Sequence, residues 1–253
     1  MPANPFDLTG KKVIFAGGAG DLGRGMVAAL RDAGAEIVII DFAPNLDEIA
    51  ATLDAGTGRV SCVHVDLIDR AALKQGFEQA LSRLGDVDVL VNSQGIQRRY
   101  PCEDFPIEEW DRVIETNLTS VFLLCQLAGR VMLNKGYGKI VNIASLNSFT
   151  GGITIPAYAS SKGGVALLTK ALSNEWAARG VMVNAIAPGY MATKMTEAIV
   201  NDPVRNPQIL ARIPVGRWGR PDDLGGPLVF LASSASDYVT GIVMPVDGGW
   251  MGR

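Results

Sequence analysis

A short apolar run, Lys12 to Ala16, breaks into Gly17-Gly18-Ala19-Gly20-Asp21-Leu22-Gly23 and then into a helical periodicity that lasts to Ala33. Strand, glycine turn and helix in that order confine the chain to a parallel β-α-β start. Glycine lets the backbone turn tightly and approach a pyrophosphate, and the helix start presents free N–H groups at a positive dipole end. Gly18-x-Gly20-x-x-Gly23 matches the general dinucleotide fingerprint. In a chain with 29 glycines a lone match is often only a turn, but this one has both required flanks. Gly34 closes the helix, and Glu36 to Ile40 forms a second strand ending in Asp41. An acidic residue roughly 20 positions past the glycines accepts both hydroxyls of an adenosine ribose and repels a ribose phosphate. Asp41 therefore favours NAD(H) over NADP(H).

The alternation continues. Arg59 to Val65 reads as the third strand, with Asp66-Leu67 at its end where an adenine would lie. A helix follows over Arg70 to Leu84, then a fourth strand over Val87 to Val91 closed by Asn92-Ser93-Gln94-Gly95. Strands alternating with helices give right-handed crossovers and an open sheet covered on both faces. With no linker, repeat or low-complexity tract, the expectation is one α/β domain over residues 1–253, a single-domain Rossmann fold with a doubly wound parallel sheet. The net charge of -3 and pI near 5.3 give no support for nucleic-acid or anionic-membrane partners. Three cysteines (Cys62, Cys102 and Cys125), odd in number and unpatterned, point to a reducing compartment and away from metal binding. His64 is the only histidine and lies in a strand-like run, which argues against Ser-His-Asp hydrolysis. Met1 to Gly10 lacks a basic region followed by an apolar one, and no apolar stretch reads as membrane-spanning, so a cytoplasmic protein is expected.

Candidate chemistry lies in the second half. Tyr158 and Lys162 stand four apart at the start of a helical stretch, on one helix face. A neighbouring ammonium favours phenolate and draws a phenol down from about 10, which suits proton transfer. Ser145 follows the buried-strand pattern Lys139 to Ala144, at the carboxyl end where open α/β sheets bind ligands. Alone, the Tyr–Lys pair is also what many solvated helix edges show. Asn117 interrupts the apolar-periodic region Trp110 to Leu133 and predicts a kink or a water-binding task, with an ordinary polar-face Asn as the alternative. Arg98 and Arg99 follow the fourth strand, where either a solvated loop or a carboxylate partner fits. Val181 to Ala187 is a further strand, ended by Pro188-Gly189. Residues 190–213 show no clean period and read as a weakly structured lid. A helix over Pro221 to Ser233, a last strand over Ile242 to Val246 and the turn Asp247-Gly248-Gly249-Trp250 complete the chain.

The ordered set of glycine turn, Asp66, Asn117, Ser145, Tyr158-x-x-x-Lys162 and Pro188-Gly189 resembles the single-domain short-chain dehydrogenase/reductases over essentially the full length. That resemblance implies a catalytic tetrad of Asn117, Ser145, Tyr158 and Lys162. It also implies nicotinamide-dinucleotide contacts from Gly17, Gly20, Asp21, Leu22, Gly23, Asp41, Asp66, Leu67, Asn92, Tyr158, Lys162, Gly189, Met191 and Thr193. Gly95-Ile96-Gln97-Arg98-Arg99 resembles gluconate 5-dehydrogenases. Ala187 to Thr193, Arg217-Trp218-Gly219 and Ala235 to Val239 resemble 2-dehydro-3-deoxygluconate 5-dehydrogenases. Both imply a sugar-acid substrate, held by Ser145 and Asn147 with Arg98, Arg99 or Arg217 on the carboxylate, and a homotetramer. Three positions depart from the family pattern: Ala16 for the usual Thr, Asp21 for the usual middle glycine, and Gln94 for the usual Ala. Asp21 is placed to crowd a pyrophosphate, and Gln94 to alter the nicotinamide side. A 3-oxoacyl carrier-protein reductase is disfavoured by Asp41 and the acidic pI, and a non-catalytic homologue by the complete tetrad.

Overall fold

The computed structural model describes residues 4–253. Seven strands form one all-parallel sheet: β1 (Lys12–Ala16), β2 (Glu36–Asp41), β3 (Val60–His64), β4 (Val89–Asn92), β5 (Gly138–Ile143), β6 (Val181–Pro188) and β7 (Val243–Val246), in the order β3-β2-β1-β4-β5-β6-β7. The period-2 pleat divides the apolar strand residues between two faces. Val13, Phe15, Ile37 and Ile39 pack with Met26, Val27 and Leu30 of α1 (Asp21–Asp32), Leu46 and Ile49 of α2 (Leu46–Asp54) and, further along the chain, Leu228 and Leu231. Ile14, Ala16, Val38 and Ile40 face the other way. They meet Leu73 and Phe77 of α3 (Arg70–Leu84) and a layer of later helices. Each such side chain taken fully from water contributes about 1.5–3 kcal/mol, which is why the sheet is doubly covered.

The later helices are α4 (Ile107–Ile114), α5 (Ser120–Lys135), α6 (Pro156–Trp176), α7 (Glu197–Val200), α8 (Arg205–Leu210) and α9 (Gly225–Ala232). α4 and α5 are joined without a break by a wide π turn over Glu115–Thr119, so Ile107–Lys135 runs as one continuous helix. It is long and apolar enough by length and composition alone to cross a membrane, which the sequence pattern did not lead one to expect. Its apolar character has a different cause: Val121, Leu124, Cys125, Ala128 and Met132 are buried against the sheet. Residues 190–213, expected to be weakly structured, instead hold α7, α8 and a 3-10 turn over Lys194–Thr196. These pieces are too short to show a period. Ile209 of α8 and Ile213 just after it are buried in a cluster that also draws on Leu146, Trp218 and Trp250, outside the segment.

β1 lies between β2 and β4, so the chain runs outward to β3 before crossing back to β4. The carboxyl ends of β1 and β4 are where strand order reverses, and a crevice opens there.

Candidate active site

The turn after β1 is held closed by two glycines. Gly17 has φ +78°, and a Cβ on it would lie 2.5 Å from the Gln94 backbone nitrogen, so the turns after β1 and β4 touch. A Cβ on Gly23 would lie 2.4 Å from the Gly17 carbonyl oxygen, which brings α1 directly against the turn. Gly20 is different: a Cβ there would meet only the Gly17 oxygen, at 3.7 Å. The fold does not require that glycine, and its bare backbone leaves room for close approach by a ligand. Gly20 is also the N-cap of α1, and no side chain caps the helix, so its first N–H groups stand uncapped at the positive dipole end. This cradle fits a pyrophosphate.

A cavity of about 470 Å³ runs beside it, lined by Gly17, Gly20, Asp41, Asp66, Leu67 and Ser93 among others. The Asp41 carboxylate accepts from the backbone N–H groups of Ala19 (3.0 Å), Phe42 (2.7 Å) and Ala43 (3.1 Å), which fixes a negative group in the cavity wall. Leu22, Gly189, Met191 and Thr193 line a second space that reaches Ser145, Tyr158 and Lys162. Asn92 does not line either space. Its amide donates to Asn142 Oδ1 (2.9 Å) beneath the floor, because the pleat turns its side chain into the sheet's packed face. Asp21, expected among the cofactor contacts, reaches from the turn to the 190–213 segment. Its Oδ2 accepts from the Lys194 backbone N–H at 2.7 Å, so the carboxylate is engaged by the 190–213 segment. Gln94 likewise turns inward, donating to Ser120 Oγ at 3.0 Å, while its Oε1 is buried without a partner.

The wide turn between α4 and α5 is the kink that Asn117 predicts. Fully buried, Asn117 accepts from the Ile96 N–H (2.8 Å) and donates to the Ile96 carbonyl (2.9 Å) and to Ser161 Oγ (3.1 Å). It thereby ties the π turn to the chain leaving β4 and to α6. Both its Oδ1 and the Lys162 ammonium lie 3.5 Å from the Cβ position of Gly95. The Lys162 ammonium donates to the Ile143 carbonyl at the end of β5, at 2.6 Å. Burial pushes it down to about 8. The phenol of Tyr158 goes the other way from the sequence expectation. Burial pushes it up, and the hydrogen bond with Ser145 only partly pulls it back, because the Lys162 nitrogen sits 5.9 Å from the ring centre and makes no direct bond to the hydroxyl.

Tyr158 and Ser145 open onto a cavity of about 400 Å³ with Gln97, Arg99, Asn147 and Thr150 in its wall. Of the three arginines expected at a carboxylate, only Arg99 is there, donating to the Ile153 carbonyl at 3.4 Å. Arg98 is instead paired with Glu109 (2.7 Å) and the Gln97 carbonyl, and Arg217 forms a two-pronged pair with Asp223 (2.7 and 2.9 Å) beside a different cavity. Local acidic partners outcompete the site for both. The sequence reading missed Arg205, Arg212 and Trp250, which line the cavity from the 190–213 segment and the C-terminal turn. No motif marks them, since the site gathers them through the fold.

A family profile described as enoyl-(acyl carrier protein) reductase matches residues 17–251. The 2-dehydro-3-deoxy-D-gluconate 5-dehydrogenase of Bacillus subtilis is 48% identical over 98% of this chain and 97% of its own. The chain is a short-chain dehydrogenase/reductase. Among solved structures, one proposed to be an NAD(P)-dependent gluconate 5-dehydrogenase from Beutenbergia cavernae, with NADP bound at low occupancy, superposes with a TM-score of 0.95 at 42% identity, covering 99% of this chain and 100% of that one. The gluconate 5-dehydrogenase of Burkholderia cenocepacia, in complex with NADP and tartrate, superposes at 0.94 with 36% identity over 98% of each chain. As a short-chain dehydrogenase/reductase the protein is an NAD(P)-dependent oxidoreductase, and its relatives act on the CH–OH groups of sugar acids.

Proposed function

We propose that the protein interconverts a secondary alcohol and a ketone on a sugar acid resembling gluconate or 2-dehydro-3-deoxygluconate, with NAD(H) preferred to NADP(H). The observation that carries the substrate class is the cavity at Tyr158 and Ser145, whose wall holds hydrogen-bonding groups and arginine but, among the described residues, no aspartate or glutamate. A carboxylate drawn from water needs such a cationic partner. Similarity to sugar-acid dehydrogenases supports the same class.

When bound, the nicotinamide supplies the hydride acceptor or donor. Tyr158 takes the hydroxyl proton in oxidation and returns it to the oxygen in reduction. Ser145 hydrogen-bonds the reacting oxygen, contributing orientation and charge stabilisation. Lys162, protonated below about 8, would hold the nicotinamide ribose when the cofactor is bound, and Asn117 fixes the backbone beside it. Asp41 would receive the adenosine ribose hydroxyls, and its fixed carboxylate disfavours a phosphate there. The relatives that hold NADP make this a preference and not an exclusion. The test is a panel of aldonates and 3-deoxy-2-ketoaldonates assayed with both dinucleotides, for the parent and Asp41→Ala. Turnover of an acid with higher kcat/KM for NAD+ is expected, the preference narrowing in the variant. Activity confined to uncharged polyols, or a parent preferring NADP+, overturns the corresponding half of the reading.

A further inference from the structure

Arg212 follows α8, and its guanidinium carbon lies 4.0 Å from the ring centre of Trp250. Trp250 is itself held: it is 8% exposed, its ring centre is 4.6 Å from that of Tyr190, and it belongs to the apolar cluster that anchors Ile209 and Ile213. Arg253 reinforces the same junction by donating to the Ala211 carbonyl at 2.6 Å. The C-terminal turn thus straps the end of the 190–213 segment and seats one guanidinium over an indole face.

Stacking occupies the face of a guanidinium and leaves its in-plane N–H groups free for a carboxylate. Among the described residues the arginine ion pairs are those of Arg31, Arg70, Arg98 and Arg217, so no carboxylate of the chain neutralises Arg212. Arg205, the other arginine of this segment in the wall, has Asp202 beside it and is partly compensated. Arg99, on the opposing stretch, spends a donor on the Ile153 carbonyl. Arg212 and Trp250 line the same cavity as Ser145 and Tyr158.

We infer that Arg212, oriented by its stack on Trp250, receives the carboxylate of the substrate and sets the preference for acids over polyols. The inference rests on the sugar-acid reading of this site and goes further by naming the anion receptor.

The test compares Arg212→Gln, Arg212→Lys and Arg99→Gln with the parent. Arg212→Gln should raise KM for the best sugar acid at least tenfold with a smaller change in kcat. Its KM for an uncharged polyol and its NADH binding should be unchanged, and Arg212→Lys should restore part of the loss. A second readout needs no turnover: gluconate and tartrate should perturb tryptophan emission in the parent and in Arg99→Gln, but not in Arg212→Gln or Trp250→Phe. If Arg212→Gln keeps the parent's acid preference and its emission response, the inference is wrong. If Arg99→Gln alone loses both, the carboxylate belongs to Arg99 and the inference is equally overturned. A parent that turns over no acid but still shows an Arg212-dependent emission response would refute the sugar-acid reading and leave the anion receptor standing.

Discussion

Tyr158 and Lys162 are each held against their charged forms, the phenol pushed up and the ammonium pushed down to about 8, both by burial. Two consequences follow for the pair. Removing only the hydroxyl, in Tyr158→Phe, should lower kcat by roughly two to four orders of magnitude, the usual range for a general acid–base group. NADH binding, followed by fluorescence titration, should persist. In ketone reduction the phenol stays protonated across neutral pH, so kcat/KM should be flat there. It should fall as pH rises through about 8, where Lys162 loses its proton. Lys162→Arg should move that inflection upward, since a guanidinium keeps its proton. The identities of these residues were legible in the sequence because their spacing is local. Their electrostatics were not, because the sign of the Tyr158 shift depends on burial and on the placement of Lys162 against the Ile143 carbonyl. Arg98 and Arg217 show the same limit, since the acids that claim them, Glu109 and Asp223, are surface residues with no pattern of their own.

At the scale of elements, strands β1 to β7 and the long helices could be read to within a few residues, because period and glycine punctuation are signals carried by neighbours. The joining of α4 to α5 through a π turn was legible only as a kink at Asn117. α7 and α8 were invisible, their apolar partners being supplied by Trp218 and Trp250. The segment they form is proposed as the lid of the substrate cavity. Asp21, at the first position of α1, binds its base through the Lys194 N–H, so the dinucleotide turn and the lid share one hydrogen bond. Asp21→Ala should loosen the lid without unfolding the sheet. Limited proteolysis within 194–213 is expected to speed up severalfold while the remaining fragments stay protected, and equal cleavage rates in parent and variant would show that the contact holds nothing. The bond is solvent-exposed, so it contributes about 1 kcal/mol, enough to shift a local opening equilibrium severalfold.

For the whole molecule, the outer faces of α5 and α6 leave Phe122 and Leu167 exposed, and Tyr238 stands fully in solvent. Apolar groups on helices already packed against the sheet fit the proposed assembly into a tetramer. Light scattering at micromolar concentration should give about four times the 26.8 kDa chain mass, and a stable monomer would refute it. Within the chain, one small feature governs how the parts relate. Met191 and Gly219 form an isolated parallel bridge, with the Ala192 N–H donating to the Gly219 carbonyl (2.8 Å) and the Gly219 N–H to the Tyr190 carbonyl (2.9 Å). Everything between them is therefore a loop whose ends are already joined, and its closure entropy depends only weakly on its length. Such a loop is an exchangeable cassette. Its length can change at little entropic cost, altering the wall of the substrate cavity while the strands and the proton-transfer residues stay in place.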